Sequence, residues 1–480
     1  MSLTVPAAPV ADDWALAGEE DFVCDALESP IAAIEKCLDN GLGACLVVDG
    51  RRYLGRVSLE ELGRAALEGG LLAPTLGQHL RVFASRLSNT GPAGGDGLQP
   101  VLNGAGELIG VTIDRAAQRI QIARPDLTHR EFRSVLDAFL SSWISSKGPY
   151  VEKFEDGFSR FVGTRHGIAV SNGTVALHLA LAALGIGPGD EVIVPDLTFA
   201  ATINAVLYCG ATPVIVDVDA QTWSMSLAGV ECACSERTKA IIPVHLYGRP
   251  AEMGPISAFA ARRGIAVVED CAEAHGARYA GRPVGKFGDI SCFSFYANKI
   301  VTTGEGGMCV TDSDELAGTL RLLRDHGMSP ERSYWHDRVG FNYRLTNLQA
   351  SLGHAQLQRV HETLRRNKEI AEIYRVALGS IPGVRFPPDM DGVYSPVVWL
   401  ASVRVPAECR GVLLAAAAKA DIEMRPFFHS LSTLPPYATY GRRCPNSLEL
   451  SATGVNLPTS RAVDTEAVDR IAEVFHNVLA

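Results

Sequence analysis

The chain has no CxxC pair, although it carries eleven cysteines between Cys24 and Cys444. The count is odd, and the one close pair is Cys232 and Cys234 in ECACSE. This argues against a disulfide framework and for a reducing compartment. The twelve histidines make no zinc-ligand spacing with these cysteines, so no metal is expected. No apolar run approaches the ~20 residues of a membrane span. The first residues, MSLTVPAAPVADDW, lack the basic segment and apolar core of a secretory signal. A cytoplasmic protein is the expectation, with no membrane partner. Positive charge is also short: 44 Lys and Arg stand against 54 Asp and Glu, a net charge of -10. A nucleic-acid partner, which needs a basic face to neutralise phosphates, is therefore not expected.

What is present is ordinary for a globular protein. The 480 residues are 47% hydrophobic and 20% charged. At about 100–200 residues per domain, that length suggests two to four units. Three regions separate. Residues 1–125 read as helix, strand, turn, strand, helix, with ACLVVDG (44–50) and RRYLGRVS as a hairpin. A weaker echo follows at LQPVLNGAGELIGVTID (98–114), after a glycine-rich loop at 88–97. Residues 126–360 open with the helical pattern HREFRSVLDAFLSSWIS, then alternate short apolar strands with helices. That alternation predicts a mostly parallel sheet covered on both faces. Residues 361–480 hold long helices, the strand-like run PVVWLASVRV and the loop RPFFHSLSTLPPY, which together suggest a smaller α+β domain.

In open α/β sheets, ligands sit beyond the carboxyl ends of the strands. Four strand ends carry chemistry. Ser171-Asn172-Gly173-Thr174 stands where a strand enters a helix; it is an ordinary turn or an anion site built from helix amides. Phe199, in DLTFAA, is a core aromatic or a flat face for a flat cofactor. Asp270, in VVEDCAEAHG (267–276), is a helix cap or the partner of a protonated ring nitrogen. The run GDISCFSFYANK reads as strand to Ala297 and delivers Lys299, with Ser294 five residues earlier and a tight GEGG turn beyond. Lys299 is a solvated charge or an amine held for Schiff-base chemistry.

Taken together, SFYANKIVTTGEGGMCVTD (294–312), GFNYRLTNLQASLGHAQL (340–357) and FEDGFSRFVGTRHGIAVSNGTVALHLAL (154–181) resemble the DegT/DnrJ/EryC1/StrS sugar aminotransferases. These are fold type I pyridoxal-phosphate enzymes, and the resemblance covers about two-thirds of the chain. It implies a large α/β domain at 126–360 and a small α+β domain at 361–480. It also implies pyridoxal 5'-phosphate as cofactor and a homodimer with shared sites. Lys299 would form the internal aldimine and move the proton. Asp270 would pair with the pyridinium nitrogen, Phe199 would stack on the ring, and Glu273 would lie beside its phenolic oxygen, where the family often has Gln. Gly173, Thr174 and Ser294 would hold the phosphate, joined by Asn342 from the neighbouring subunit. The implied donor is L-glutamate and the acceptor a nucleotide-linked keto-sugar.

The runs SSWISSKGPY, PVHLYGRPAEM and MRPFFHSLSTLPPY look most like the branch that converts GDP-4-keto-6-deoxymannose to GDP-perosamine. Arg425 and His429 would then face the substrate, and Trp143 would flank it or simply pack. A UDP- or dTDP-linked sugar, a sugar dehydratase and a non-catalytic regulator are the rival readings. Relatives that dehydrate replace the lysine with histidine, so Lys299 favours transamination. Residues 1–125 resemble a pair of cystathionine-β-synthase (CBS) repeats, the second truncated. The nucleotide-holding Thr/Ser-x-x-Asp of such repeats is altered here to Ser58 with Glu61, and to Thr112 with Arg115. That departure favours a structural or oligomer-forming module over a nucleotide sensor.

Overall fold

The computed structural model describes residues 3–4, 21–67, 98–113, 119–390 and 392–479. They fall into two compact units. One comprises Met1–Ile120, Asp126–Arg133 and Asp464–Ala467; the other comprises Gln121–Pro125, Ser134–Val463 and Val468–Ala480. No helix among the described residues is long and apolar enough to cross a membrane.

In the first unit, Ala44–Asp49 pairs antiparallel with Arg52–Ser58, giving the hairpin predicted from sequence, and parallel with Val23–Asp25. The helix Pro30–Asp39 starts on a Ser29 cap and lays Ala33, Ile34 and Cys37 against Cys24, Cys45 and Val47. The echo is a second hairpin, Leu98–Leu102 with Leu108–Ile113. Ser58 and Glu61 occupy each other. Glu61 accepts from the Ser58 amide at 2.7 Å and its hydroxyl at 2.8 Å, while Ser58 Oγ accepts from the Glu61 amide. That is a capping box for the helix Leu59–Leu67, so the serine is spent on starting a helix. Thr112 lies in the strand Leu108–Ile113. Arg115 and the glycine-rich run 88–97 lie outside the described residues.

The second unit is built on a seven-stranded sheet. Its strands are β1 (His166–Val170), β2 (Glu191–Pro195), β3 (Thr212–Val216), β4 (Thr238–Ile241), β5 (Ala266–Asp270), β6 (Ile290–Ser294) and β7 (Gly307–Thr311). They lie in the order β1-β7-β6-β5-β4-β2-β3. Strand β7 runs antiparallel to both neighbours and every other pairing is parallel. Strands β2 and β6 are buried at every position, polar Glu191, Ser291 and Ser294 included, as expected of a sheet covered on both faces. The helix Gly173–Ala183 is apolar around most of its circumference and buries six consecutive residues from Ala176 to Leu181. The helix Pro149–Val162 buries Tyr150, Phe154, Phe158 and Val162 at helical spacing. Phe154 and Phe158 each meet Phe295 at 4.9 Å, which gives the sheet a packed aromatic floor. Ala401–Arg404, Gly454–Leu457 and Arg425–Pro426 form a small antiparallel sheet in the same unit.

Two strand boundaries differ from the sequence reading. Strand β6 ends at Ser294, not Ala297, because Phe295 turns to bond with Gly306 and Thr303 in a loop closed on itself. Lys299 therefore stands in a turn, its amide bonded to the Tyr296 carbonyl. In PVVWLASVRV only Ala401–Arg404 is strand, because the Val397 amide bonds to Gly248 and the Val398 carbonyl accepts from Asn367.

Glu269, fully buried near the end of β5, ties this sheet to the following loop. It accepts from the amides of Gly285, Phe287 and Gly288, the Ser291 hydroxyl and His245 Nε2. Burial alone would raise this carboxyl, but the His245 ring and the loop amides outweigh it and hold it below its ordinary range. His245, Glu269 and Cys271 lie close enough together to hold an ion. The His245 and Glu269 groups are already engaged, since Glu269 takes the bonds above and His245 Nδ1 accepts from the Ala251 amide at 3.0 Å. Glu269→Ala would leave five donors, three of them buried, without their acceptor. It is expected to lower stability by about 3–5 kcal/mol, read from the urea midpoint at constant slope. The depressed carboxyl stabilises the fold above its unfolded value of 4.5, and this contribution is lost as pH falls through the lower folded value.

Candidate active site

The carboxyl ends of β1, β2, β5 and β6 border one cavity of about 800 Å³. Lys299 enters it from the turn after β6. Its amine lies 3.2 Å from Glu273 Oε1 and 3.8 Å from the centre of the Trp399 ring. The Trp399 indole N–H donates to the carbonyl of Asn298 at 2.6 Å, fixing the peptide on which the lysine rides. Glu273 also accepts from the Tyr247 amide at 2.9 Å. Burial pushes the Glu273 carboxyl up, while the Lys299 charge pulls it down.

Asp270 ends β5, buried. Its Oδ2 accepts from the Thr202 hydroxyl at 2.8 Å and its Oδ1 from the Ala272 amide at 3.2 Å. Burial raises this carboxyl as well, against those two bonds and the more distant Lys299 charge. A buried acid that no cation among the described residues touches is a prepared partner for one.

At the opposite side, Asn172 caps the helix Gly173–Ala183 by accepting from the Val175 amide. As at any helix start, the first amides have no carbonyl one turn back, so those of Gly173 and Thr174 are free for an anion. A side chain at 173 would come within 2.8 Å of Ser294 Cβ, so glycine is what lets this turn approach the serine. Phe199 stands at the helix start Ala200–Tyr208, 59% exposed, with its ring 5.6 Å from that of Phe428. Amine, buried acid, anion-binding turn and flat ring thus meet at one cavity. That donor set suits pyridoxal phosphate: an amine for its aldehyde, an acid for its ring nitrogen, amides and a hydroxyl for its phosphate.

The structure brings Lys299, Gly173, Thr174, Phe199, Asp270, Glu273, Ser294 and Arg425 to the cavity. Arg425 donates to Glu423 through two nitrogens. His429 is exposed and does not line this cavity; Phe428 takes the inward place. Asn342 is also exposed and outside it, accepting from Arg344. Trp143 is exposed on its own loop. Trp399, Tyr247, Thr202 and Asn456 were not singled out in the sequence. Trp399 was hidden inside an apparent strand, and Tyr247 is placed by a left-handed backbone turn at φ 52 that carries no residue signal.

A model of the DegT/DnrJ/EryC1/StrS aminotransferase family matches residues 125–476. The chain belongs to that family. As a DegT/DnrJ/EryC1/StrS member it is a pyridoxal-phosphate-dependent aminotransferase, which agrees with the cavity's chemistry. It is 44% identical over 365 residues to GDP-perosamine synthase of Caulobacter vibrioides, covering 75% of this chain and 98% of that one. It is 55% identical over 214 residues to a UDP-N-acetyl-3-dehydro-alpha-D-glucosamine 3-aminotransferase of Acidithiobacillus ferrooxidans, covering 44% and 57%. Among solved structures it resembles the aminotransferase TlmJ from Streptoalloteichus hindustanus, with TM-score 0.71 and 30% identity over 75% of this chain and 98% of that one.

Proposed function

We propose that this aminotransferase moves an amino group from L-glutamate to GDP-4-keto-6-deoxymannose, giving GDP-perosamine for surface polysaccharide. The observation that carries the chemistry is Lys299 and Asp270 at one cavity. The 44% identity to GDP-perosamine synthase over nearly all of that protein supports the sugar.

Pyridoxal phosphate, when bound, supplies an aldehyde that carries nitrogen between substrates and a ring that absorbs the electrons freed at the donor carbon. The chain's own residues hold and aim it. The amides of Gly173 and Thr174 and the Ser294 hydroxyl bind the phosphate, and Phe199 covers the ring. Asn342 from a second copy of the chain completes the phosphate site, so the working unit is a homodimer. Asp270 keeps the ring nitrogen protonated. Lys299 holds the cofactor. Its amine would also move the proton at the donor α-carbon, a service worth ~10²–10⁴-fold. Glu273, beside Lys299, receives its ammonium whenever the lysine is free. Arg425 exchanges Glu423 for the sugar diphosphate, where its fork makes paired hydrogen bonds. His429 lies further out along the same loop, toward the sugar's exposed side. Residues 1–125 form a CBS-like module with a structural or oligomer-forming role, 126–360 the large and 361–480 the small aminotransferase domain. Eleven free thiols support a reducing, cytoplasmic setting.

The test is spectroscopic. L-glutamate should bleach the absorption band of the lysine-bound cofactor. After the donor is removed, GDP-4-keto-6-deoxymannose should restore that band and yield an aminated GDP-sugar by mass. Bleaching without restoration would discard this sugar and turn the test to a UDP-linked ketone, the acceptor class suggested by the 55% identical stretch. No band with added pyridoxal phosphate would overturn the role of Lys299.

A further inference from the structure

Asp196 is fully buried and directly follows β2, yet no cation among the described residues pairs with it. Its carboxylate is taken up by one loop. Oδ1 accepts from the Ser432 amide at 2.7 Å and Oδ2 from the Ser430 hydroxyl, while its backbone carbonyl accepts from the Leu431 amide at 2.8 Å. Burying a carboxylate costs free energy unless its bonds are strong and well aimed. What these bonds aim is a wall of the cavity. Thr198 and Phe199 follow Asp196 on one side, and Arg425, Pro426 and Phe428 precede Ser430 on the other.

Phe428 is held from both directions. Its amide donates to the Tyr247 hydroxyl at 3.0 Å, and its neighbour Phe427 is sunk against Tyr247 and Trp223 at 4.5 Å and 5.2 Å. The Asp196 clip fixes the other end. Lys299, Asp270, Glu273, Gly173 and Ser294 all lie off the clipped loop.

A second carboxylate, Asp217 just beyond β3, makes the same kind of clip. It accepts from the Asn446 and Ser447 amides and the Ser447 hydroxyl, holding the start of the helix Pro445–Thr453. That helix contributes nothing to the cavity lining. Cys444 lies between the two acids, and burial with their combined charge pushes its thiol up to about 12. The two clips share a chemistry but differ in what they hold.

We propose that Asp196 is a positioning residue for the keto-sugar half of the reaction, fastening the loop of Arg425 and Phe428 to the strand end that carries Phe199. The inference rests on the sugar-aminating reading of this cavity. Glutamate is small and reacts beside Lys299. The nucleotide-linked sugar must extend along the far wall, so a loosened loop penalises it selectively.

The test compares Asp196→Ala, Asp196→Asn and Asp217→Ala holoenzymes, with the two half-reactions followed separately by absorbance. The keto-sugar used is whichever one restores the band in the unaltered protein. Asp196→Ala should raise the keto-sugar concentration for half-maximal rate by about 10- to 100-fold, the cost of ångström-scale misplacement. Its glutamate half-reaction should stay within about twofold. Asp196→Asn keeps an acceptor for the loop and should recover most of the loss. Asp217→Ala should lower the melting temperature and alter neither half-reaction. Equal loss in both half-reactions, or no difference between Asp196→Ala and Asp217→Ala, would overturn the proposal. If Asp196→Ala does not fold, Ser430→Ala, which removes one bond of the clip, takes its place with the same expected direction. An unaltered protein that ignores glutamate would instead refute the aminotransferase reading itself.

Discussion

Lys299→Ala is expected to remove turnover, with a loss of at least about 10²–10⁴-fold. On the proposed function the amine would both hold the cofactor and carry the proton, and no other lysine among the described residues lines the cavity. Glu273 cannot replace it. Burial raises that carboxyl, but its oxygens are tied to the Tyr247 amide and to the Lys299 amine itself. Two measurements separate loss of chemistry from loss of fold. Pyridoxal phosphate should bind the variant without producing the lysine-bound absorption band. The variant should also unfold in urea with an unchanged slope, and with a midpoint close to that of the unaltered protein. A variant that retains the band would show that another amine holds the cofactor.

The second large effect is expected at Asp270. Asp270→Asn keeps the shape and the Thr202 bond but removes the charge. Burial already pushes this carboxyl up, which means that the cofactor-free fold holds its charge at a cost. Between its unfolded value of 3.8 and its higher folded value, rising pH therefore lowers the stability of the cofactor-free protein. A protonated ring nitrogen would reverse that cost. Two readouts follow. Pyridoxal phosphate should raise the melting temperature of the unaltered protein more than that of Asp270→Asn, because binding energy adds to folding energy. Turnover should fall about 10²–10³-fold, the usual loss when one aimed electrostatic partner is removed. Unlike loss of the Asp196 clip, this should slow the glutamate and keto-sugar halves alike. A normal thermal shift in Asp270→Asn would remove the ring-nitrogen role.

The short runs ending in Asp270 and Ser294 were legible as strands because a sheet covered on both faces favours apolar residues at consecutive positions over strict alternation. Strand ends then pointed to Lys299, Asp270, Phe199 and Gly173, and all four border the cavity. The end of β6 was misread by three residues. Phe295 is as apolar as the strand before it, and only its bonds to Gly306 and Thr303 show that the chain has left the sheet. Ser58 and Glu61 were legible as a pair, but not as a capping box. The same spacing serves a helix start and a ligand, and the bonds between them decide the matter.

The amino-acid sequence by itself determined the local facts: which segments are strands, where the sheet's carboxyl ends fall, and which reactive groups stand there. Those follow from side-chain period and turn chemistry, which act over a few residues. Tertiary structure alone decided which distant groups touch. Glu273 meets Lys299 across 26 residues, Trp399 reaches Asn298 across 101, and Ser432 reaches Asp196 across 236. No periodicity carries that information. It is set by the order of strands in the sheet and by the packing of the C-terminal segments onto it, where burial forces each polar group to find a partner.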